Sequence, residues 1–304
     1  MNFNWLFALM VLSHAIEVPA DNLAINSKGE TISVVNRTDF MLPLPMFPFF
    51  NLERLRQLED QVAEQIKKEP INAGLDRHGN IIAEKPGASL DRMNFEVQFY
   101  DYFYGKGPKM LEVPVRDIFP KVDSELISDI RTEMIAHYVT YYNSQNIERS
   151  HNISLSTGAI NNYVVFPGET FSFNKVVGKR TPERGYLSAP VIVKGELTEG
   201  IGGGICQVSS TLYNAVDQSG LQIVERYSHS KRVPYVPEGR DATVSWYGPD
   251  FAFRNLYNQP ILIRAYSGNG KMLVMLFSSD SLNYYPRKIP RMSGDLPPEI
   301  PANL

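Results

Sequence analysis

The chain has 304 residues, 43% of them apolar and 21% charged, enough to bury a sizeable core in one large domain or two ordinary ones. Thirty basic against 33 acidic residues give a formal net charge of −3, which supplies no general attraction to nucleic acid or to an anionic membrane surface. A single cysteine excludes an intramolecular disulfide, so the fold rests on packing and hydrogen bonding.

The opening "MNFNWLFALMVLSHA", residues 1–15, places small residues after an apolar run from Trp5 to Leu12, the outline of an export signal. No Lys or Arg precedes that run, and a buried N-terminal segment is the alternative. A bilayer span takes about 20 apolar residues, so the reading is an extracytoplasmic protein, in the cell wall or secreted, with no transmembrane span. Residues 16–50 lack a sustained period, and the prolines of "MLPLPMFPFF" exclude helix; they read as a linker. "NLERLRQLEDQVAEQIKKEP" sets Leu52, Leu55, Val62 and Ile66 near one face and stops at Pro70, which predicts an amphipathic helix. Turn signals at His78-Gly79-Asn80 and Pro86-Gly87 predict small hairpins, and "MNFEVQFYDYFYGKG" and "KMLEVPVRDIFP" read as strands. Residues 51–120 are therefore expected to form a small α+β domain.

Residues 121–146 read as a connecting helix opening at Ser124. It leads into a mostly β domain, 147–280, with strands at "NYVVF", "APVIVKG", "LQIVERY" and "ATVSWYG" and a hairpin turning at Gly268-Asn269-Gly270. One short helix, after Cys206, interrupts it. The fold class is α+β, and the prolines after Asn283 predict a flexible tail over 283–304.

The lone cysteine sits in "GGGICQVSSTLYNAV". Glycines 202–204 permit a cramped turn, and Val208, Leu212, Ala215 and Val216 make one apolar stripe on the following helix. Cys206, Ser209, Ser210 and Tyr213 share a different face. A helix start favours the thiolate, and its amides from Gly204 onward, with the Gln207 side chain, are candidate oxyanion donors. A buried apolar thiol is the alternative reading.

A cysteine nucleophile needs a base, and the base an orienting group. Among the five histidines, His229 follows the strand leading away from the cysteine helix and is the candidate base, with His151 in reserve; His137 is expected in a helix. Asp241 is the candidate orienter, with Asp250 further on. Arg226, Lys231, Arg232 and Arg240 form a basic run able to hold a carboxylate-bearing peptide. No Lys follows the glycines as a phosphate loop requires, and no further Cys or His stands at zinc-ligand spacing. No metal and no cofactor are predicted.

"VVFPGETFSFNKVVGKRTPERGY", "GGGICQVSSTLYNAV", "YSHSKRVPYVPEGRDATVSWYGPDFAFRN" and "PILIRAY" together resemble the VanW family of bacteria, over about residues 147–277. "INAGLDRHGNIIAEKPGASLD" resembles, more distantly, the peptidoglycan-binding module that often precedes that domain. The resemblance implies a cell-envelope role in a Gram-positive bacterium, peptidoglycan stem peptides as partners, and an L,D-transpeptidase activity using Cys206 to form 3-3 cross-links. A cysteine peptidase of peptidoglycan and a non-catalytic binding module are the alternatives. The Ser-His-Gly-Cys motif of YkuD-type L,D-transpeptidases is absent from the sequence.

Overall fold

The computed structural model describes residues 21–42, 49–193 and 196–291. The expected export signal at 1–15 lies outside them. The chain divides into two compact units: one runs to Asn72 and resumes over Glu84–Lys121, and the other takes Ala73–Ala83 and the chain from Val122 on. The class is α+β, as the sequence indicates.

In the first unit, residues read as a linker form a hairpin instead. Strands Asn22–Ser27 and Glu30–Asn36 pair antiparallel, and Lys109–Glu112 adds parallel to the first. Leu23, Ala24 and Ile25 are buried in succession, so this strand shows no alternation for a sequence pattern to catch. Helix α1 (Leu52–Ile66) starts where the Asn51 side chain accepts the Arg54 N–H at 3.2 Å, and it buries Leu55, Leu58 and Val62. Helix α2 (Arg92–Tyr104) replaces the strand expected from its aromatic content. Phe95, Phe99, Tyr102 and Phe103 recur at helical spacing and are all buried, and Asp91 caps the start. Period, rather than β propensity, decides the element.

The second unit is built around a four-stranded antiparallel sheet in the order Glu133–Tyr141, Lys271–Ser278, Ile261–Gly268, Tyr163–Val165. The hairpin about Asn269 turns where the sequence places it. The expected connecting helix is half strand: α3 (Ser124–Ile130) ends and Glu133–Tyr141 runs on in the sheet. His137 therefore lies on a strand. A small pair, Gly74–Leu75 and Ile81–Ile82, also belongs to this unit.

Helix α4 (Ile147–Ile160) has no counterpart in the sequence reading, because much of its buried face is polar: Asn152, Ser156 and Thr157 beside Ile153 and Ile160. It packs on the sheet next to α6 (Ile205–Gln218), the cysteine helix, while the short α5 (Phe173–Val177) packs on α4. A second sheet joins Thr170–Ser172, Ala252–Arg254 and Gln222–Glu225, and Ser188–Val193 pairs with Glu196–Ile201. Residues 242–248, read as a strand, form no ladder. The expected tail is docked as far as it is described: the Arg287 N–H donates to the Gln218 carbonyl at 2.8 Å, and Ile289 packs on the core.

Asn152 is the polar anchor of this packing. Its amide nitrogen donates to the carbonyls of Leu187 (2.9 Å) and Gly203 (3.1 Å), and its oxygen accepts the Leu187 N–H (2.9 Å). Replacing it with alanine removes the partner of the Leu187 N–H and of the Gly203 carbonyl, each costing about 1–3 kcal/mol, while the Leu187 carbonyl keeps the Gly202 N–H at 3.0 Å. Asn152→Ala is expected to destabilise the protein by about 2–3 kcal/mol, read as a lowered denaturant midpoint at unchanged slope; an unchanged midpoint would show that the glycine turn is held by other contacts.

Candidate functional site

The three glycines are each required for a separate reason. Gly202 and Gly204 adopt φ of 87° and 105°, the left-handed region. At Gly203 a Cβ would come within 2.6 Å of the Pro190 carbonyl oxygen and 2.7 Å of that of Ala189, so the turn lies flush on the strand Ser188–Val193. The turn delivers α6 already buried: from Ile205 to Val216 every residue is buried except Cys206. The Cys206 N–H, at the second helical position, looks back only to Gly202 and Gly203, and neither carbonyl accepts it.

Opposite the sulfur lies the irregular segment 226–245. Cys206 Sγ stands 3.6 Å from the Val244 carbonyl oxygen and 3.8 Å from Thr243 Oγ1, with the His229 ring near enough to act on its charge. His229 Nδ1 lies 2.6 Å from Asp241 Oδ2, and the His229 backbone N–H donates to the same oxygen at 2.6 Å. That double contact commits Nδ1 to the carboxylate and leaves Nε2 for the sulfur. Arg226 holds the other side, with Nε donating to the Asp241 carbonyl oxygen (2.7 Å) and Nη2 3.5 Å from Oδ1. The side chains of His229 and Asp241 are only 7% and 8% exposed, so this pairing is little screened by solvent.

The electrostatics follow from the geometry. Burial opposes charge on His229, but the hydrogen bonds to Asp241 and Cys206 and their negative charges prevail, raising its pKa to about 9. Burial pushes the Cys206 thiol up, and the His229 hydrogen bond and cation outweigh it, holding the thiol below its usual range. Asp241, opposed by burial, is likewise held low by its bonds to His229. At neutral pH the ring is an imidazolium, and its charge favours the thiolate, the form in which a cysteine attacks. Tyr235, buried and facing this negative charge, is pushed well above the usual phenol range and stays protonated.

The remaining sequence candidates have other duties. The Gln207 amide is spent: Nε2 donates to Thr140 Oγ1 (3.0 Å) and the Tyr141 carbonyl (2.9 Å), and Oε1 accepts from Arg149 (2.8 Å), so its side chain is no oxyanion donor. Gly204 is the left-handed cap of α6. Ser209 and Ser210 are fully buried and bind the segment to the helix: Ser209 Oγ donates to the Ala242 carbonyl at 2.5 Å, and the Ala242 N–H donates to Ser210 Oγ at 2.9 Å. Tyr213 is stacked between Arg226 and Arg240, each guanidinium carbon 4.8 Å from the ring centre. Arg240 is paired with Asp217 and Asn214, away from the sulfur. Lys231 and Arg232 are exposed.

The reserve residues lie elsewhere in the packing. His151 on α4 contacts the Gly185 carbonyl, and Asp250 caps α5 by accepting from Asn174 N–H and Ser172. Sequence reasoning missed Arg180, Thr243 and Tyr235. Arg180 sits 26 positions before the cysteine with no spacing signal to link them, yet its stem packs against Gly202. Among the described residues, no group of His, Cys, Asp or Glu is placed to hold a metal ion, and no helix is long and apolar enough to cross a membrane.

An α+β scaffold that opens one buried helix at a cysteine backed by a histidine and an aspartate defines the molecule as a carrier of a Cys-His-Asp thiol site. The chain belongs to the VanW family: the family profile described as "VanW like protein" matches residues 148–277, the stretch that carries all three residues. It is 57% identical over 284 residues to an uncharacterized protein, YoaR, of Bacillus subtilis (strain 168), covering 93% of this chain and 94% of that one. Over 111 residues it is 33% identical to the vancomycin B-type resistance protein VanW of Enterococcus faecalis, covering 34% of this chain and 40% of that one. No solved structure matches the chain.

The pairing has a direct chemical consequence. The alkylation rate of Cys206 by a neutral thiol reagent should follow the thiolate down to a midpoint below the ordinary thiol value of 9.0, with a second inflection near 9 as His229 loses its proton. His229→Ala removes the cation but keeps the burial, so its midpoint should move up past the wild-type value. An equal midpoint in the two proteins would contradict the pairing.

Proposed function

We propose that the protein is a cysteine acyltransferase acting on peptidoglycan stem peptides outside the cytoplasm, an L,D-transpeptidase that forms 3-3 cross-links. The observation that carries the reading is the opening at the start of α6: between Ile205 and Val216 the one residue that is not buried is a cysteine, and a His-Asp pair stands behind it. With an imidazolium beside it, such a thiol is drawn toward the thiolate that attacks a carbonyl carbon. The substrate class is drawn from the family, whose relative in Enterococcus faecalis is named for vancomycin resistance, which fits a cell-envelope setting.

In this reading the thiolate adds to the carbonyl carbon of a diaminopimelate residue, and the Cys206 N–H receives the developing oxyanion. The C–N bond to the terminal D-alanine breaks as the Nε2 proton of His229 passes to the leaving amine. The thioester then meets an amine of a neighbouring stem. Neutral His229 takes a proton from that amine, the new C–N bond forms, the C–S bond breaks, and the thiolate is restored. Asp241 keeps the imidazole in the tautomer that presents Nε2 through both steps.

Incubation of the protein with tetrapeptide muropeptides is expected to give a cross-linked dimer by mass spectrometry, with D-alanine released. Cys206→Ala should abolish it, and His229→Ala should slow it by about 10²–10⁴-fold. Trimmed monomer without dimer would assign the site to hydrolysis; no product and no acyl adduct on Cys206 would overturn the enzymatic reading in favour of a binding module.

A further inference from the structure

Beside Cys206 lies a cation, Arg180, whose guanidinium carbon is 5.7 Å from the centre of the Phe173 ring and which no carboxylate among the described residues pairs. Arg180 follows α5 and lays its stem along the glycine turn: a Cβ on Gly202 would come within 3.2 Å of its Cβ and 3.3 Å of its Cγ. Nη1 donates to Asn174 Oδ1 at 2.7 Å, and Asn174 in turn donates to the carbonyls of Ser245 (3.0 Å) and Pro249 (3.1 Å). The guanidinium is thereby fixed next to the segment whose Val244 carbonyl touches the sulfur. Its Nη2 is buried and has no hydrogen-bond partner, and no carboxylate among the described residues forms an ion pair with Arg180.

Arg240 also has a buried Nη2 without a partner, so what sets Arg180 apart from the other arginines of the site is the missing carboxylate. Arg226 is spent on Asp241 and Arg240 on Asp217. Asp250, the acid whose charge reaches Arg180, is engaged with Asn174 N–H, Phe251 N–H and Ser172. Burial depresses the Arg180 guanidinium, and the Cys206 sulfur is the first of the charges that restore it. A half-buried cation with a free donor costs stability unless a ligand completes it.

We infer that Arg180 receives the free C-terminal carboxylate of the acyl donor, the carboxylate of the residue that leaves, so that the site acts only at a bond one residue from a chain end. The inference rests on the acyl-transfer reading for its substrate and on Arg180 for its selectivity. Consecutive Cα atoms are about 3.8 Å apart, so a carbonyl on Cys206 puts the leaving residue's carboxylate within reach of a cation packed on the same turn. A guanidinium turned onto the ligand forms a forked, charge-assisted pair that a C-terminal amide cannot match. The cation also offsets the repulsion between that carboxylate and the thiolate.

The test uses the full chain and two stem tetrapeptides differing only in a C-terminal carboxylate or carboxamide. Binding is measured by calorimetry and acylation of Cys206 by intact mass. Wild type should favour the acid by about 10- to 100-fold. Arg180→Gln should lower the acid to the level of the amide and leave the amide unchanged, and Arg180→Lys should recover part of the preference, with thermal melting confirming that both variants fold. Acid preference in binding with no acylation would leave this inference standing and sink the enzymatic one. Absence of preference in wild type, absence of binding, or an equal loss on both peptides in Arg180→Gln, the sign of an oxyanion contact, would overturn it.

Discussion

The hydrogen bond between His229 and Asp241, closed off from water, is the contact on which the site depends. A neutral imidazole beside a thiol would share its proton weakly. With a carboxylate 2.6 Å behind it, the ring holds the proton to about pH 9, and the thiol loses its own correspondingly early. A buried carboxylate is itself expensive unless it is fully hydrogen-bonded. Asp241 meets that condition by accepting the His229 backbone N–H as well as the ring, with the Arg226 guanidinium beside its second oxygen.

What keeps those groups in place is a segment without regular structure. Residues 226–245 form no ladder around the sulfur, so their backbone polar groups are satisfied by side chains of α6 and by one another. Ser209 and Ser210 bind Ala242 on both of its backbone groups, the Asn214 amide donates to the Arg240 carbonyl, and the Thr243 N–H donates to the Tyr227 carbonyl. The polar face of α6 thus holds the loop rather than the substrate. That explains why a helix with so many hydroxyl side chains is buried from Ile205 to Val216 except at Cys206.

Much of this was legible in the sequence, and the failures share physical causes. Cys206, His229 and Asp241 could be proposed because glycines before a helix, an imidazole after the next strand and an acid beyond it are chemical signals. The hairpin about Asn269 and the amphipathic α1 were legible from turn chemistry and period. Helix α2 was misread because its aromatic content was weighed above its spacing, and α4 was missed because Asn152, Ser156 and Thr157 do not look like a buried face. Arg180 was invisible: its role arises from a missing partner and from contact with Gly202, and neither leaves a pattern in the chain. Gln207 was assigned to the oxyanion because it adjoins the cysteine, yet at a helix start adjacent side chains point apart.

The central claim is that His229 is held as an imidazolium whose charge favours the Cys206 thiolate. Its most direct test is the titration of the His229 ring followed by nitrogen NMR in the intact protein and in Cys206→Ser. The account predicts a doubly protonated ring at pH 7 in the wild type, losing its proton near 9, and a lower value once the thiolate is removed. A ring that is neutral at pH 7 and titrates near its ordinary value of 6.5 in both proteins would contradict it.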